Sequence, residues 1–448
     1  MKVTNNIIDK ADLKIIKKIT VKQARSNEIL PIYIEDNKLF ILCTNENADS
    51  NNLIKFLFNE KESELIIVNK NDLNKYINIF LDYDITEIEY KIIEEAVNLR
   101  VSDIHFEPMN GALNIRYRIH GSLINIRKIT MEEYLEVASR IKLKSHMDIT
   151  EKRRPQDGKM LINVNGKEYN CRLSTLPIIE GEKIVIRILY EDMLLSNINN
   201  LNFTSSQQDV LEKIVKIKNG LCLINGPTGS GKSTTLYSIL NSIRNEPINI
   251  TTLEDPIEAI MEGVNQINLN EKIGLDFGEG LRRVLRQDPD VIMVGEIRDE
   301  LTAKMAVRAA ITGHKVYSTI HTKDPKAVYY RLEEMGVKGY LIRDAICGII
   351  SQRLIKTICF NCREEIFING IRVYKKKGCN KCNGTGYIGR KVVASVIYIK
   401  KSMGNNNQYD EILSNNEMIF GLKELLLRGE IDYYDYLCFI EEEELNEN

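Results

Sequence analysis

A chain of 448 residues and 51.5 kDa is too long for one ordinary domain and, at about 150 residues per domain, suggests roughly three. Its composition is 43% hydrophobic and 28% charged, and no apolar run approaches the ~18 residues that cross a bilayer, so a membrane-embedded protein is excluded. Lys+Arg total 61 against Asp+Glu 63, a net charge of -2, so the electrostatic footprint of a dedicated nucleic-acid binder is missing and any such contact must be local.

The amino terminus turns charged early and shows no apolar stretch ahead of a small-residue cleavage site, which predicts a cytoplasmic chain without a secretory signal. Residues 1–82 alternate apolar runs such as Ile29–Ile34 and Lys38–Leu42 with Asn, Asp and Glu, the pattern of a small α/β unit without a chemical motif. From Ile85 to about Asn98, Ile88, Ile92, Ile93, Ala96 and Val97 recur at helical spacing. Strand-like stretches follow at Leu113–Ile119, Met160–Val164, Tyr169–Leu173 and Lys183–Leu189, and the polar run Ser196–Asn200 reads as a linker.

The next segment carries chemistry. Leu221–Ile224 is a buried-strand run, followed by Gly226-Pro227-Thr228-Gly229-Ser230-Gly231-Lys232-Ser233-Thr234 and a helical pattern through Leu236, Ile239, Leu240 and Ile243. Strand, glycine-rich loop and helix in that order make a Walker A phosphate site. Glycines let successive N–H groups face the phosphates, and the helix terminus adds positive charge. Lys232 is expected to reach the β- and γ-phosphates of ATP and Ser233 to ligate Mg²⁺.

Three more apolar runs end abruptly in polar residues: Ile250–Leu253 before Glu254, Val291–Val294 before Glu296, and Val316–Ile320 before His321. Ligands of an open parallel sheet bind beyond the carboxyl ends of its strands, so these groups are expected to converge on one nucleotide. Glu296 is the candidate Walker B carboxylate, Glu254 the group that polarises the attacking water, and His321 the contact to the γ-phosphate. The competing readings are that Glu254, Asp255 and Glu258 only cap a helix around Pro256 and that His321 is structural.

Arg282 and Arg286 are four apart, which puts them on one face of a predicted helix, and Arg298 follows Glu296. Arg116 and Arg118 share a strand face by period two, and Arg172 and Arg187 interrupt strand-like runs. Arginines carried by a separate domain suit a finger that reaches the γ-phosphate when domains or subunits close; surface ion pairing is the alternative.

Of nine cysteines, Cys43, Cys171, Cys222, Cys347 and Cys438 stand singly in apolar contexts and read as buried thiols. Cys359, Cys362, Cys379 and Cys382 form CxxC-x16-CxxC, spacing suited to four thiolates around structural Zn²⁺, with reduced thiols or an iron–sulfur cluster as alternatives. Glu441–Glu444 reads as a solvated tail.

Together these strings resemble the secretion ATPase superfamily of type II secretion and type IV pilus assembly, over roughly residues 29 to 400. The nonapeptide Gly226–Thr234 is similar to its Walker A, Leu253–Glu258 to its aspartate box, Leu281–Asp299 to its Walker B, and Thr312–His314 with Ser318–Thr322 to its histidine box. Ser102–Pro108, Arg154–Gly158 and Gly181–Arg187 resemble signatures of its second N-terminal domain.

The resemblance implies an α/β chain with a RecA-like P-loop core. Its parts would be a small N-terminal domain (1–82), an arginine-bearing PAS-like domain (83–192), the ATPase domain (203–357), a four-cysteine zinc element (358–400) and a shortened helical segment with an acidic tail (401–448). It also implies that Arg172, Arg187, Arg282, Arg286, Arg298 and Arg331 surround the nucleotide.

The implied assembly is a homo-hexamer docked on an inner-membrane platform protein, peripheral at the inner face of the cytoplasmic membrane and touching it only through partners. Possession of both the N-terminal domain and the four cysteines favours pilus extension, with type II secretion or DNA uptake as alternatives and a nucleic-acid motor as a more distant one. A scaffold that has lost hydrolysis is disfavoured by the intact Lys232, Ser233, Glu254, Glu296 and His321. The chain departs from the family at His120 (usually Asp), Lys323 (usually Asn) and Ser395 (commonly Glu), in the short x16 spacing, and in its abbreviated end. The first 82 residues lack the Arg-Leu-Gly motif that binds cyclic di-GMP in some relatives, so that ligand is not expected.

Overall fold

The computed structural model describes residues 3–45, 48–58, 62–83, 85, 87–190, 197–400 and 417–447. Five hairpins close on two residues that both hold positive φ: Asp36-Asn37, Asn110-Gly111, His120-Gly121, Asn165-Gly166 and Asn369-Gly370. Two left-handed residues match the twist of paired strands, and Asn, Asp, His and Gly tolerate that conformation best. The departure at His120 is thereby accounted for, since the position asks for a positive φ (49°) rather than a carboxylate.

The chain divides into two compact units, Met1–Leu189 with the short segment Gly378–Thr385, and Tyr190–Lys377 with Gly386–Asn448. In the first, β1 (Ile29–Glu35), β2 (Lys38–Cys43) and β3 (Ser63–Ile67) form a sheet in that order. Helices Val21–Asn27 and Lys70–Phe80 cover it, burying Leu30, Ile32, Leu39, Ile41, Ile77 and Phe80. The two leading strands coincide with the apolar runs seen in the sequence.

The rest of this unit is an antiparallel sheet in the order β6-β5-β4-β9-β8-β7. Its strands are β4 (Asp103–Met109), β5 (Ala112–Ile119), β6 (Ser122–Thr130), β7 (Gln156–Val164), β8 (Lys167–Ile178) and β9 (Gly181–Leu189). Helix Ile88–Asn98 is held by Tyr117, whose hydroxyl donates to the Ile92 carbonyl at 2.5 Å. Helix Met131–Lys144 starts at a reciprocal Thr130/Glu133 capping box. This helix, β4 and β6 were not expected. β4 is unlike a central strand in sequence because Asp103, His105 and Glu107 are all buried in it. Cations on neighbouring strands make that possible: Arg116 and Lys183 both pair with Glu107, and Arg187 pairs with Asp103 at 2.8 Å.

The second unit is built on a seven-stranded sheet, order β12-β11-β13-β14-β10-β15-β18. The strands are β10 (Gly220–Asn225), β11 (Ile250–Glu254), β12 (Asn265–Asn268), β13 (Val291–Val294), β14 (Lys315–Ile320), β15 (Ile346–Ile358) and β18 (Tyr387–Tyr398), with a separate hairpin of β16 (Glu364–Ile368) and β17 (Ile371–Lys375). All pairings through β15 are parallel and only β18 runs antiparallel. Residues of β10 and β14 are buried without exception, as central strands of a sheet covered on both faces must be. The alanine-rich helix Glu300–Ile311 packs close on one face and helix Lys232–Ile243 on the other.

Beyond β18, helices Glu417–Leu427 and Tyr433–Glu447 share a core of Ile355, Val373, Val393, Leu422, Ile431 and Phe439. Several expectations are corrected here. The acidic run Glu441–Glu444 is not a tail but the late part of the last helix. No helix surrounds Pro256, so Glu254, Asp255 and Glu258 cap none. The thiol of Cys438 is exposed, because its helix turns that position outward, whereas the other four single cysteines are buried. In the expected linker, Ser196 lies outside the described residues and Ile198–Asn200 makes one 3-10 turn capped by Asn197. Among the described residues, no helix is long and apolar enough to cross a membrane.

Candidate functional site

The loop after β10 has the geometry its glycines imply. A Cβ on Gly226 would lie 2.3 Å from the Gln352 carbonyl oxygen, and Gly226, Gly229 and Gly231 hold φ of 146°, 78° and 90°. Lys232 opens the following helix; its Nζ donates to the carbonyls of Gly226 (2.8 Å) and Pro227 (3.0 Å). Burial pushes the Lys232 ammonium below its ordinary pKa, and the Glu296 carboxylate pulls it back. Ser233 and Thr234 follow in the first turn, half-buried, while Pro227, Thr228 and Gly229 are exposed and Ser230 is buried. Sequence reasoning missed Gln352, a buried side chain on β15 that donates from Nε2 to the Ser230 carbonyl (2.8 Å) and accepts from Thr235 Oγ1 (2.9 Å). Nothing local in the sequence marks it, because its partners lie more than a hundred residues away.

Glu254, Glu296 and His321 emerge from β11, β13 and β14, three successive strands beside β10. His321 Nε2 lies 3.6 Å from Glu296 Oε2, and Arg298 pairs with the other carboxylate oxygen. Burial, helped by Lys232 and Arg298, depresses the His321 pKa against the opposing pull of Glu296. Glu254 is buried and accepts hydrogen bonds from the Tyr237 hydroxyl, from Thr252 Oγ1 (2.6 Å) and from Gln266 Nε2 (3.1 Å). A carboxylate offers about four acceptor positions, so three fixed donors orient it and leave about one for water. Tyr237 is a second residue the sequence did not single out; its hydroxyl also accepts from the Glu258 and Ala259 amides at 3.1 and 3.3 Å.

The arginines divide between the units. Arg172 and Arg187, in the first, are direct cross-strand partners. Register extends this into a row across five strands: Arg118, Asp103, Arg187, Arg172 and Lys159. This line holds four cations and one carboxylate, Asp103, which faces Arg187 at 2.8 Å and Arg118 at 3.6 Å. In the second unit, Arg282 and Arg331 are about half exposed and pair with Glu279 (3.1 Å) and Glu334 (3.0 Å). Arg282 and Arg286 do not share a helix, because helix Phe277–Val284 ends between them and Arg286 lies beyond its cap.

Cys359, Cys362, Cys379 and Cys382 bring their sulfurs within 4.8 Å of one another, with 3.8 Å between those of Cys379 and Cys382. Thiolates bound tetrahedrally to one zinc at about 2.3 Å stand about 3.8 Å apart, so the set fits that ion. The Arg363 guanidinium sits beside the first pair, 4.8 Å from the Phe360 ring centroid and 4.1 Å from that of Tyr374.

The family model described as "Type II/IV secretion system protein" matches residues 82–420. The chain is 40% identical over 321 residues to the putative type II secretion system protein E of Escherichia coli K12, covering 69% of this chain and 65% of the relative. It is 37% identical over 335 residues to the type II secretion system ATPase E of Vibrio cholerae, covering 72% and 67%. These matches thus span about two thirds of the relatives' length. Among solved structures, the pilus retraction motor PilT with bound ADP shares 26% identity at a TM-score of 0.54, covering 79% of this chain and 96% of that one. The ATPase DotB of Legionella pneumophila has the same fold, with a TM-score of 0.61 at 22% identity, covering 79% and 95%. A phosphate loop, two carboxylates and a histidine at the ends of neighbouring strands, together with these matches, show that the chain belongs to the type II/IV secretion ATPase family.

Proposed function

We propose that the protein is a Mg²⁺-dependent ATP hydrolase that works as a hexameric motor for type IV pilus assembly, acting through an inner-membrane platform protein and reaching the inner face of the cytoplasmic membrane by that contact. The observation that carries hydrolysis is the alignment of Glu254, Glu296 and His321 on the strands beside the Lys232 loop. In this reading the loop from Gly226 to Thr234 binds the phosphates, and Lys232 releases its two carbonyl partners to meet the β- and γ-oxygens. Ser233 and Glu296 would hold Mg²⁺, which would supply neutralisation of charge on the phosphates. Glu254, oriented by Tyr237, Thr252 and Gln266, takes the proton of the attacking water, and His321 contacts the γ-phosphate. Arg282, Arg286, Arg298 and Arg331 line the nucleotide and subunit boundary. The cationic row around Arg172 and Arg187 supplies charge to the γ-phosphate on ring closure.

The four-cysteine cluster and the N-terminal unit support assembly rather than retraction. A second reading, assembly of a pseudopilus for type II secretion, is favoured by the names of the relatives in Escherichia coli and Vibrio cholerae. Purified protein should release phosphate from ATP, and Lys232→Ala should abolish that release with the fold intact. Deleting the gene and scoring surface filaments and secreted enzymes side by side separates the readings. Normal filaments and normal secretion in the Lys232→Ala strain would sink both.

A further inference from the structure

Glu254 is held by donors on both carboxylate oxygens: Tyr237 donates to Oε2, while Thr252 Oγ1 and Gln266 Nε2 donate to Oε1. Two of these donors are themselves fixed by the loop that joins β11 to β12. A tyrosine hydroxyl has one proton and two lone pairs, and the backbone amides of Glu258 (3.1 Å) and Ala259 (3.3 Å) occupy the acceptor side of Tyr237. Its proton is thereby left to point at Glu254. Burial, with the Glu254 carboxylate beside it, holds the Tyr237 hydroxyl well above its ordinary pKa, so that proton stays in place.

Gln266 is fixed in the same way. Its Oε1 accepts from the Met261 amide at 2.7 Å, which settles the end of the side chain that carries the NH2, and Nε2 then donates to the Ala259 carbonyl (2.9 Å) and to Glu254 Oε1 (3.1 Å). Four hydrogen bonds to Glu258, Ala259 and Met261 thus set the direction of two donors to the carboxylate. Ala259 and Met261 are buried in the core they share with helix Lys232–Ile243, and Ile260 between them is 80% exposed. We propose that Glu258–Met261 is a positioning loop for hydrolysis: through Tyr237 and Gln266 it aims the Glu254 carboxylate at the attacking water, so that a shift of the loop slows the chemical step and spares nucleotide binding. Tyr237 and Gln266 are positioning residues, since they act through Glu254. The inference rests on the reading of Glu254 as the base and adds what controls it.

The test is single-turnover hydrolysis of Mg-ATP by the full-length chain, with the rate and the half-saturating ATP concentration measured separately. Tyr237→Phe keeps the ring and removes only the hydroxyl; it should slow hydrolysis about tenfold, short of the ~10²-fold that misplacing a reacting group by about 1 Å can cost, with half-saturation within about twofold. Ile260→Gly removes an exposed side chain and frees the loop backbone; it should slow hydrolysis about threefold, again with half-saturation unchanged. In a Glu254→Gln background neither change should lower the residual rate by more than about twofold, whereas a residue that only supports the fold would cost the same factor in both backgrounds. Wild-type rates in either single variant, losses in half-saturation instead of rate, or full losses repeated in the Glu254→Gln background would overturn the positioning loop. A Glu254→Gln chain that hydrolyses ATP at the wild-type rate would instead overturn the reading of Glu254 as the base.

Discussion

Gln352 and Ser230 are 122 residues apart in sequence and joined by a 2.8 Å hydrogen bond from the Gln352 side-chain amide to the Ser230 carbonyl. The same amide group receives Thr235 Oγ1 at 2.9 Å, so one buried side chain of β15 ties the crest of the phosphate loop to the helix that follows it.

Replacing Gln352 with Leu should strand the Ser230 carbonyl and the Thr235 hydroxyl in a site closed to water. Each buried group left unpaired costs about 1–3 kcal/mol, so a stability loss of about 2–6 kcal/mol is expected in chemical denaturation. ATP binding should fall as well, since the loop loses its inner support. Unchanged denaturation midpoint and affinity would show that the loop holds its shape without this bond.

His321 should titrate below the ordinary histidine value of 6.5 in the nucleotide-free protein, because burial and the charges of Lys232 and Arg298 outweigh Glu296. A depressed pKa means that the folded state binds fewer protons than the unfolded one just below that value. The contribution to stability is therefore present above about pH 6.5 and is lost as the pH falls through the native midpoint. Lys232→Ala removes a neighbouring cation and should move the midpoint up; Glu296→Gln removes an anion and should move it down. An NMR titration of the imidazole protons checks both signs, and shifts in the opposite directions would refute the electrostatic account.

Metal analysis should find about one zinc per chain, lost when Cys362 or Cys379 is changed to Ser. The Cys379 and Cys382 pair lies between Lys376 and Tyr387, both of which contact Asp435, and Arg363 bonds the Gly429 carbonyl. Removing the metal should therefore loosen the helices Glu417–Leu427 and Tyr433–Glu447, read as faster amide exchange there than in β10 or β14. Uniform exchange across the chain after chelation would show that the cluster does not hold those helices.

Much of the site was legible from local pattern. The four strands that deliver Lys232, Glu254, Glu296 and His321 are buried on both faces, so none alternates as a half-exposed strand would and each is followed or ended by a polar residue. β4 was not legible, because its Asp103 and Glu107 are neutralised by arginines and a lysine supplied from other strands. The run Glu441–Glu444 was read as a solvated tail because four successive acids mask the helix that carries them, which apolar positions such as Phe439 fix to β15 and β17.

The sequence by itself determined the chemistry of this protein, since a phosphate loop, the polar residues at strand ends and two CxxC pairs are short-range patterns set by backbone conformation and ligand geometry. Tertiary structure decided which distant groups complete that chemistry. It placed Gln352 under the loop, Tyr237 against Glu254, and Arg172 opposite Arg187. Those pairings depend on strand order and register, which follow from packing over the whole sheet rather than from any local stretch of residues.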